Sequence, residues 1–189
     1  DPTGVLGGFA SHVPAELGAH LLLAGPSPSS VADDPEQEEV LEEVKKVWGD
    51  LSDASRGRAH LVCLPMDDLQ ENAAIVNALQ RRADVIAQKS LAEGFGLTVA
   101  EGMWKERPVI GSAVGGIQDQ IDHGKNGLLV DNPEDLAEFG AAVTSLLEDR
   151  EAAARMGKEA RKKVLDEYLP PQYLIRYLEV IERVADRPS

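Results

Sequence analysis

Apolar positions along the chain fall into two alternating patterns. Short continuous runs occur at residues 19–25, 59–64, 84–88, 108–111 and 127–130, and runs of that length predict buried strands. Between them, apolar residues recur at helical spacing. Residues 36–48 carry Val40, Leu41, Val44, Val47 and Trp48 on one stripe, and residues 71–82 carry Ala73, Ala74, Val76, Ala78 and Leu79 as an expected buried set. Further helices are predicted over residues 97–105, 117–122, 132–148, 150–167 and 173–184. One more covers residues 5–12, with Thr3 as its cap. Residues 26–35 and 49–57 read as connections, Asn126-Gly127 as a turn, and Pro170-Pro171 as a helix break. Strands alternating with helices specify an α/β fold, a Rossmann-like doubly wound parallel sheet covered on both faces. Such a sheet opens on a strand. None precedes residue 5, so the chain is expected to be part of a longer protein.

Composition narrows the function. The 189 residues suffice for one domain with a proper core. A net charge of −14 argues against nucleic acid and anionic membrane as partners, because both reward Lys and Arg patches. Much of the acid lies between Asp33 and Glu43, which reads as a solvated loop running into a helix. The single cysteine, Cys63, falls inside an apolar run and is expected to be a small core residue on a strand. One cysteine permits no internal disulfide, which fits a reducing cytoplasm. No apolar run approaches membrane-spanning length.

The candidate chemistry is concentrated in Ser90-Leu-Ala-Glu-Gly-Phe-Gly-Leu-Thr-Val-Ala-Glu101. Gly94 and Gly96 occupy the turn from strand to helix, where backbone bends and approaches something closely. The helix opening at Leu97 offers the amides of Leu97, Thr98 and Val99 and a positive dipole end, a ready anion site. Glu101 stands one turn further in, roughly 6 Å along the axis, on the same face. A phosphate on those amides places a neighbouring sugar within reach of Glu101, and Glu93 enters the crevice from the strand side. A carboxylate accepts two vicinal hydroxyls at once. The plainer reading is that Glu101 decorates a helix N-terminus, where acids are favoured, and that the glycines serve turn geometry.

Glu93-Gly-Phe-Gly-Leu-Thr-Val-Ala-Glu101 resembles the paired-glutamate signature of retaining glycosyltransferases with the two-domain GT-B fold, in their large fourth family. Residues 102–121 resemble the trehalose synthase subgroup, which joins glucose from a nucleotide donor to free glucose. The similarity is strong over residues 77–130 and continues more weakly to the end. It implies that residues 1–189 are a single donor-binding domain, one half of a GT-B fold, with residues 171–185 crossing back toward an N-terminal acceptor domain. It implies that Glu93 is the catalytic-site residue contacting hydroxyls of the transferred sugar, with backbone amides of Phe95 and Gly96 on the same sugar. Leu97 and Thr98 would hold the distal phosphate, and Glu101 the ribose. The implied partners are ADP-, UDP- or GDP-glucose and a sugar acceptor held by the other domain. No cofactor or metal is required, because Arg, Lys and helix dipoles stabilise a leaving diphosphate. A related GT-B epimerase or phosphorylase is one alternative, and a non-catalytic Rossmann-like binding module another.

Other residues carry less. Gly115 and Gly116 open a second helix, either as plain loop geometry or as a further phosphate or sugar contact. Leu64, Pro65 and Met66 follow a strand and are placed either beside a nucleotide base or in core and loop. His12, His20, His60 and His123 show no metal-ligand spacing, and no nucleophile elbow is present. Trp48 and Trp104 are expected in core or interface. Leu174, Leu178 and Ile181 either pack on this domain or leave an apolar stripe exposed.

Overall fold

The computed structural model describes residues 1–26 and 35–185, without the side chains of residues 35–37 and 173. Asp33 and Asp34, the start of the acidic run, lie with the rest of the loop ahead of Pro35 outside the described residues, and the remainder of the run falls in α2 (Pro35–Gly49).

Helix α1 (Pro2–His12) comes first. Asp1, not Thr3, caps it: the Asp1 carboxylate accepts from the Gly4 amide at 2.9 Å, and Pro2 sits where its missing N–H costs nothing. Strand β1 (Leu21–Pro26) and helix α2 (Pro35–Gly49) follow. The connection after α2 contains a one-turn helix, α3 (Asp53–Arg56), capped by Ser52. Strand β2 (Ala59–Leu64) has the expected bounds. Helix α4 (Leu69–Arg82) starts earlier than expected because Asp68 caps it, accepting from the amides of Gln70 and Glu71. Then come β3 (Ile86–Gln88), α5 (Leu97–Trp104), β4 (Val109–Ser112), α6 (Ile117–Gln120) and β5 (Leu128–Val130). Helix α7 (Leu136–Glu148) begins four residues later than residue 132, again at an aspartate cap, Asp135. Helix α8 (Arg150–Glu167) precedes α9 (Pro170–Ala185), where Pro170 and Pro171 open the helix rather than merely breaking the one before it.

All strand pairs among the described residues are parallel, but the expected continuous sheet is split. β1 pairs with β2, Leu21 opposite Ala59. β3, β4 and β5 form a separate sheet in that order, Ile86 opposite Val109 and Ile110 opposite Leu128. Helix α1 holds the two sheets together from one face. Leu6 packs with Val44, Ala59, Leu21 and Leu23, while Val5 and Phe9 pack with Ile110, Val130, Phe139 and Val143.

Two expectations about burial fail for the same reason. Cys63 is exposed rather than a core residue. It lines an open apolar cleft of about 450 Å³ between α2 and the β1–β2 sheet, together with Leu23, Val40 and Leu61. Helix α4 buries nothing fully, and Ala73, Ala74 and Ala78 are exposed. Among the described residues β2 pairs with β1 alone, which leaves its other edge and the elements beside it less covered. Helix α9 leaves Leu174, Leu178 and Ile181 at least half exposed, which settles their alternatives in favour of an exposed stripe. Among the described residues no helix is long and apolar enough to cross a membrane.

Candidate functional site

The second sheet aims one helix at the candidate site. Val99 and Met103, one turn apart on α5, are fully buried against Ile86, Val109, Ile117, Ala160 and Val164. Each such side chain contributes about 1.5–3 kcal/mol. This fixes the α5 N-terminus at the carboxyl ends of β3 and β4, where ligands bind in open α/β sheets. The chain reaches α5 through Lys89 and Ser90, both buried. The Ser90 amide donates to Ser112 Oγ at 3.1 Å. Lys89 is ion-paired with the Asp1 carboxylate, and burial holds its ammonium below the usual lysine range, with Glu134 acting in the opposite sense. The turn closes at Gly96, whose φ of 83° lies in the left-handed region. A side chain there would meet Ile117 Cγ1 at 3.0 Å and Glu93 Cγ at 3.5 Å, so any residue larger than glycine is both strained and crowded.

The side chain of Glu93 therefore packs beside Gly96. It is half-buried, and its carboxylate is oriented by two donors: Gln88 Nε2 at 3.2 Å and its neighbour's amide, Gly94 N, at 3.0 Å. Gln88 Nε2 also donates to Ser90 Oγ at 3.0 Å. Glu101, one turn into α5, is exposed, and Gln80 of α4 donates to its Oε2 at 2.8 Å. Phe95 is 44% exposed and meets Tyr168 edge to face, ring centroids 6.0 Å apart. Leu97 is 70% exposed and Thr98 half-buried, and no side chain caps α5. Of the three amides expected to face an anion, Val99 is withdrawn: its N–H donates to Gly96 O at 3.0 Å.

The second glycine pair has a clear packing role. Gly115, at φ 48°, has no room for a Cβ, which would fall 1.7 Å from Glu93 O. Gly116 donates its amide to Gly94 O at 2.9 Å. The two glycines let one loop lie flat against the other. Sequence reasoning missed the residue beneath this contact. Gln120 is fully buried, and its Nε2 donates to the carbonyls of Phe95 and, at 3.4 Å, Gly96. Asn126, read as a turn residue, is buried too. Its Nδ2 donates to Gln120 O at 3.0 Å, and its Oδ1 accepts from Asp122 N at 2.7 Å. The signal was available, because the spacing Ile117, Gln120, Ile121 puts a polar side chain on the apolar face of a short helix.

The other candidates lie elsewhere. Leu64 is a core residue, and Pro65 O accepts from Asn72 Nδ2 at 2.8 Å. His20 and His60 hydrogen-bond each other at 2.9 Å at the start of β1 and β2, and His123 Nδ1 accepts from Leu129 N at 3.0 Å. Trp48 donates to Ala59 O at 2.7 Å, and Trp104 lies under the Arg161 guanidinium. No group of three or more metal-ligating residues occurs among the described residues. Tyr168 donates to Asp119 O at 3.1 Å, and burial raises its phenol above the usual tyrosine range.

A parallel α/β sheet presenting a glycine turn and an uncapped helix at its carboxyl edge is the architecture of the Rossmann-like half of GT-B glycosyltransferases. Sucrose-phosphate synthase from Thermosynechococcus elongatus superposes with a TM-score of 0.72 at 25% identity, over 97% of this chain and 42% of that one. Anabaena HepE, solved in complex with UDP-glucose, gives a TM-score of 0.68 at 20% identity over 97% of this chain and 44% of that one. The chain belongs to the glycosyl transferases group 1 family, whose model matches residues 68–163. Trehalose synthase of Thermococcus litoralis is 47% identical over 110 residues, 58% of this chain and 26% of that protein. D-inositol 3-phosphate glycosyltransferase of Corynebacterium glutamicum is 40% identical over 83 residues, 44% of this chain and 20% of that protein. The chain thus spans about a quarter or less of the curated relatives it matches.

Proposed function

We propose that residues 1–189 form the donor-binding domain of a retaining hexosyltransferase that moves glucose from a nucleotide diphosphate to glucose, giving trehalose. One observation carries the reading. A left-handed glycine starts α5 with no side-chain cap, packed against the side chain of Glu93. An anion on the Leu97 and Thr98 amides gains the helix dipole as well as hydrogen bonds. The hexose attached to it then meets Glu93 and the Phe95 and Gly96 amides, and the ribose on the other side meets Glu101. In the reaction the bond from the sugar to the diphosphate breaks, the acceptor hydroxyl bonds to the same carbon, and its proton leaves with the diphosphate. The domain's part is to position the donor and to spread the leaving charge. The name of the Thermococcus relative supports trehalose as product. HepE, with its UDP-glucose, supports a nucleotide sugar as donor. The apolar stripe on α9 fits a helix that crosses to an acceptor-binding domain.

Titration calorimetry with UDP-, ADP- and GDP-glucose tests this. The chain is expected to bind at least one of them weakly and to form no disaccharide from it and free glucose. Absence of affinity for all three at millimolar concentration would refute donor binding and favour a non-catalytic module. Efficient turnover by the chain alone would refute the division of labour between two domains.

A further inference from the structure

We infer that Gln120 is the positioning residue that shapes the 93–96 loop for the hexose of a nucleotide-activated sugar. The inference rests on the donor reading above and names the group that makes the loop competent.

A trans peptide is planar, with its C=O and N–H pointing in opposite directions. The carbonyl of Phe95 therefore fixes the direction of the Gly96 N–H, and the carbonyl of Gly96 fixes that of Leu97. Gln120 Nε2 takes both carbonyls from the buried side. The two N–H groups are thereby turned away from Gln120 and its buried side. The Gly96 carbonyl also accepts from Val99 N–H at 3.0 Å, whereas Gln120 is the sole side-chain hold on Phe95 O among the described residues. No other side chain among the described residues donates to these two carbonyls. Gly96, in its left-handed conformation, has a flexible backbone with little intrinsic preference for this geometry.

The identity of the residue argues in the same direction. Gln120 Oε1 is buried and has no partner. Burying an unpaired amide oxygen is unfavourable, so packing alone favours Leu or Met at a position that is 0% exposed. The remaining reason for glutamine is the donor it supplies to the loop. The anchor is itself held: Asn126 donates to the Gln120 carbonyl and accepts from Asp122, and Lys163 of α8 donates to Asp119 O at 3.0 Å. Ile117, one turn away, closes the space over Gly96. The side chain of Gln120 is not exposed to a ligand, so its role is exerted through the loop and not by contact.

The test is Gln120→Met, which keeps length and volume and removes the donor. Affinity is measured by calorimetry for whichever of UDP-, ADP- and GDP-glucose the wild-type chain binds most tightly, and for the matching nucleoside diphosphate without sugar. Thermal unfolding without ligand is followed in parallel. The variant is expected to fold and to lose about tenfold in affinity for the nucleotide sugar, with a smaller loss for the nucleotide alone. A residue serving stability alone would lower both affinities equally, or neither. An unchanged ratio of the two affinities in a folded variant overturns the inference while leaving the donor reading intact. Failure of the wild-type chain to bind any of the three removes both. An independent readout needs no variant: the Gln120 side-chain amide resonances should move when the wild-type chain is saturated with nucleotide sugar, and unmoved resonances at saturation would also overturn the inference.

Discussion

At the scale of single residues, the candidate site divides into groups that offer contacts and groups that aim them. Glu101 is exposed and carries no buried load. Glu101→Ala is therefore expected to leave unfolding within about 0.5 kcal/mol of wild type while weakening nucleotide binding about tenfold or more, since hydrogen bonds to a charged group are worth about 1.5–3 kcal/mol. Calorimetry and urea unfolding on the same preparation check both halves. Tyr168 behaves in the opposite manner. Its phenol is held above the usual range chiefly by burial, helped by Glu167 and Asp119. The folded chain thus keeps this proton more tightly than the unfolded chain. The contribution to stability is complete below the ordinary tyrosine pKa of about 10 and is lost as pH rises through the raised value. Tyr168→Phe should cost about 1 kcal/mol at neutral pH by deleting the bond to Asp119 O. It should also flatten the fall in stability that begins at about pH 10 and continues above it, as read from urea midpoints. Equal alkaline losses in both chains would contradict the assignment.

Elements are held in place by close backbone approaches as much as by apolar area. Helices α1 and α7 cross where Gly140 leaves no space: a Cβ there would come within 2.2 Å of His12 Cβ and 3.2 Å of backbone. Because α1 ties the two sheets together, Gly140→Ala should destabilise the whole domain by about 1–3 kcal/mol through overpacking, visible as a lower unfolding midpoint. Gly115→Ala should act locally instead, combining a positive φ with a clash against Glu93 O. Donor affinity should fall more than stability does, and the reverse order would argue that the 115–116 turn serves the core only. Which elements form was legible in the sequence because apolar spacing reports directly on burial, as in the α5 pair Val99 and Met103 and the β4 run Val109-Ile110-Gly111. Element starts were less legible. Asp1, Asp68 and Asp135 each set a helix start, and a capping aspartate looks like any loop acid until its amide partners are known. In the candidate site, the bend was legible at Gly96, and the strand–turn–helix pattern gave the placement of Glu93 beside it and of Glu101 one helical turn in. The site was less legible at Gln120 and Asn126: spacing marks Gln120 as a polar residue on an apolar face, but not which carbonyls and amides the two side chains reach across 20 or more residues or around a tight turn.

For the whole molecule, the two halves of the sheet have different standing. The β3–β4–β5 half, with α5 to α8, contains most of the matched family region and the loops that carry Glu93, Gly96 and Glu101. The β1–β2 half is joined to it through α1 and carries an open apolar cleft beside the exposed Cys63. Periodicity could not reveal this asymmetry, because β1 and β2 are as apolar as their counterparts and only the sheet order shows where pairing stops. The donor reading requires that ligand go to the first half. The direct measurement is amide shift mapping of the uniformly labelled chain titrated with a nucleotide-activated glucose. Shifts concentrated between Gly94 and Thr98, with smaller ones at Glu101 and at Gly115–Gly116, are the predicted result. Shifts confined to the cleft between α2 and the β1–β2 sheet, with residues 93–101 unmoved at saturation, would contradict it.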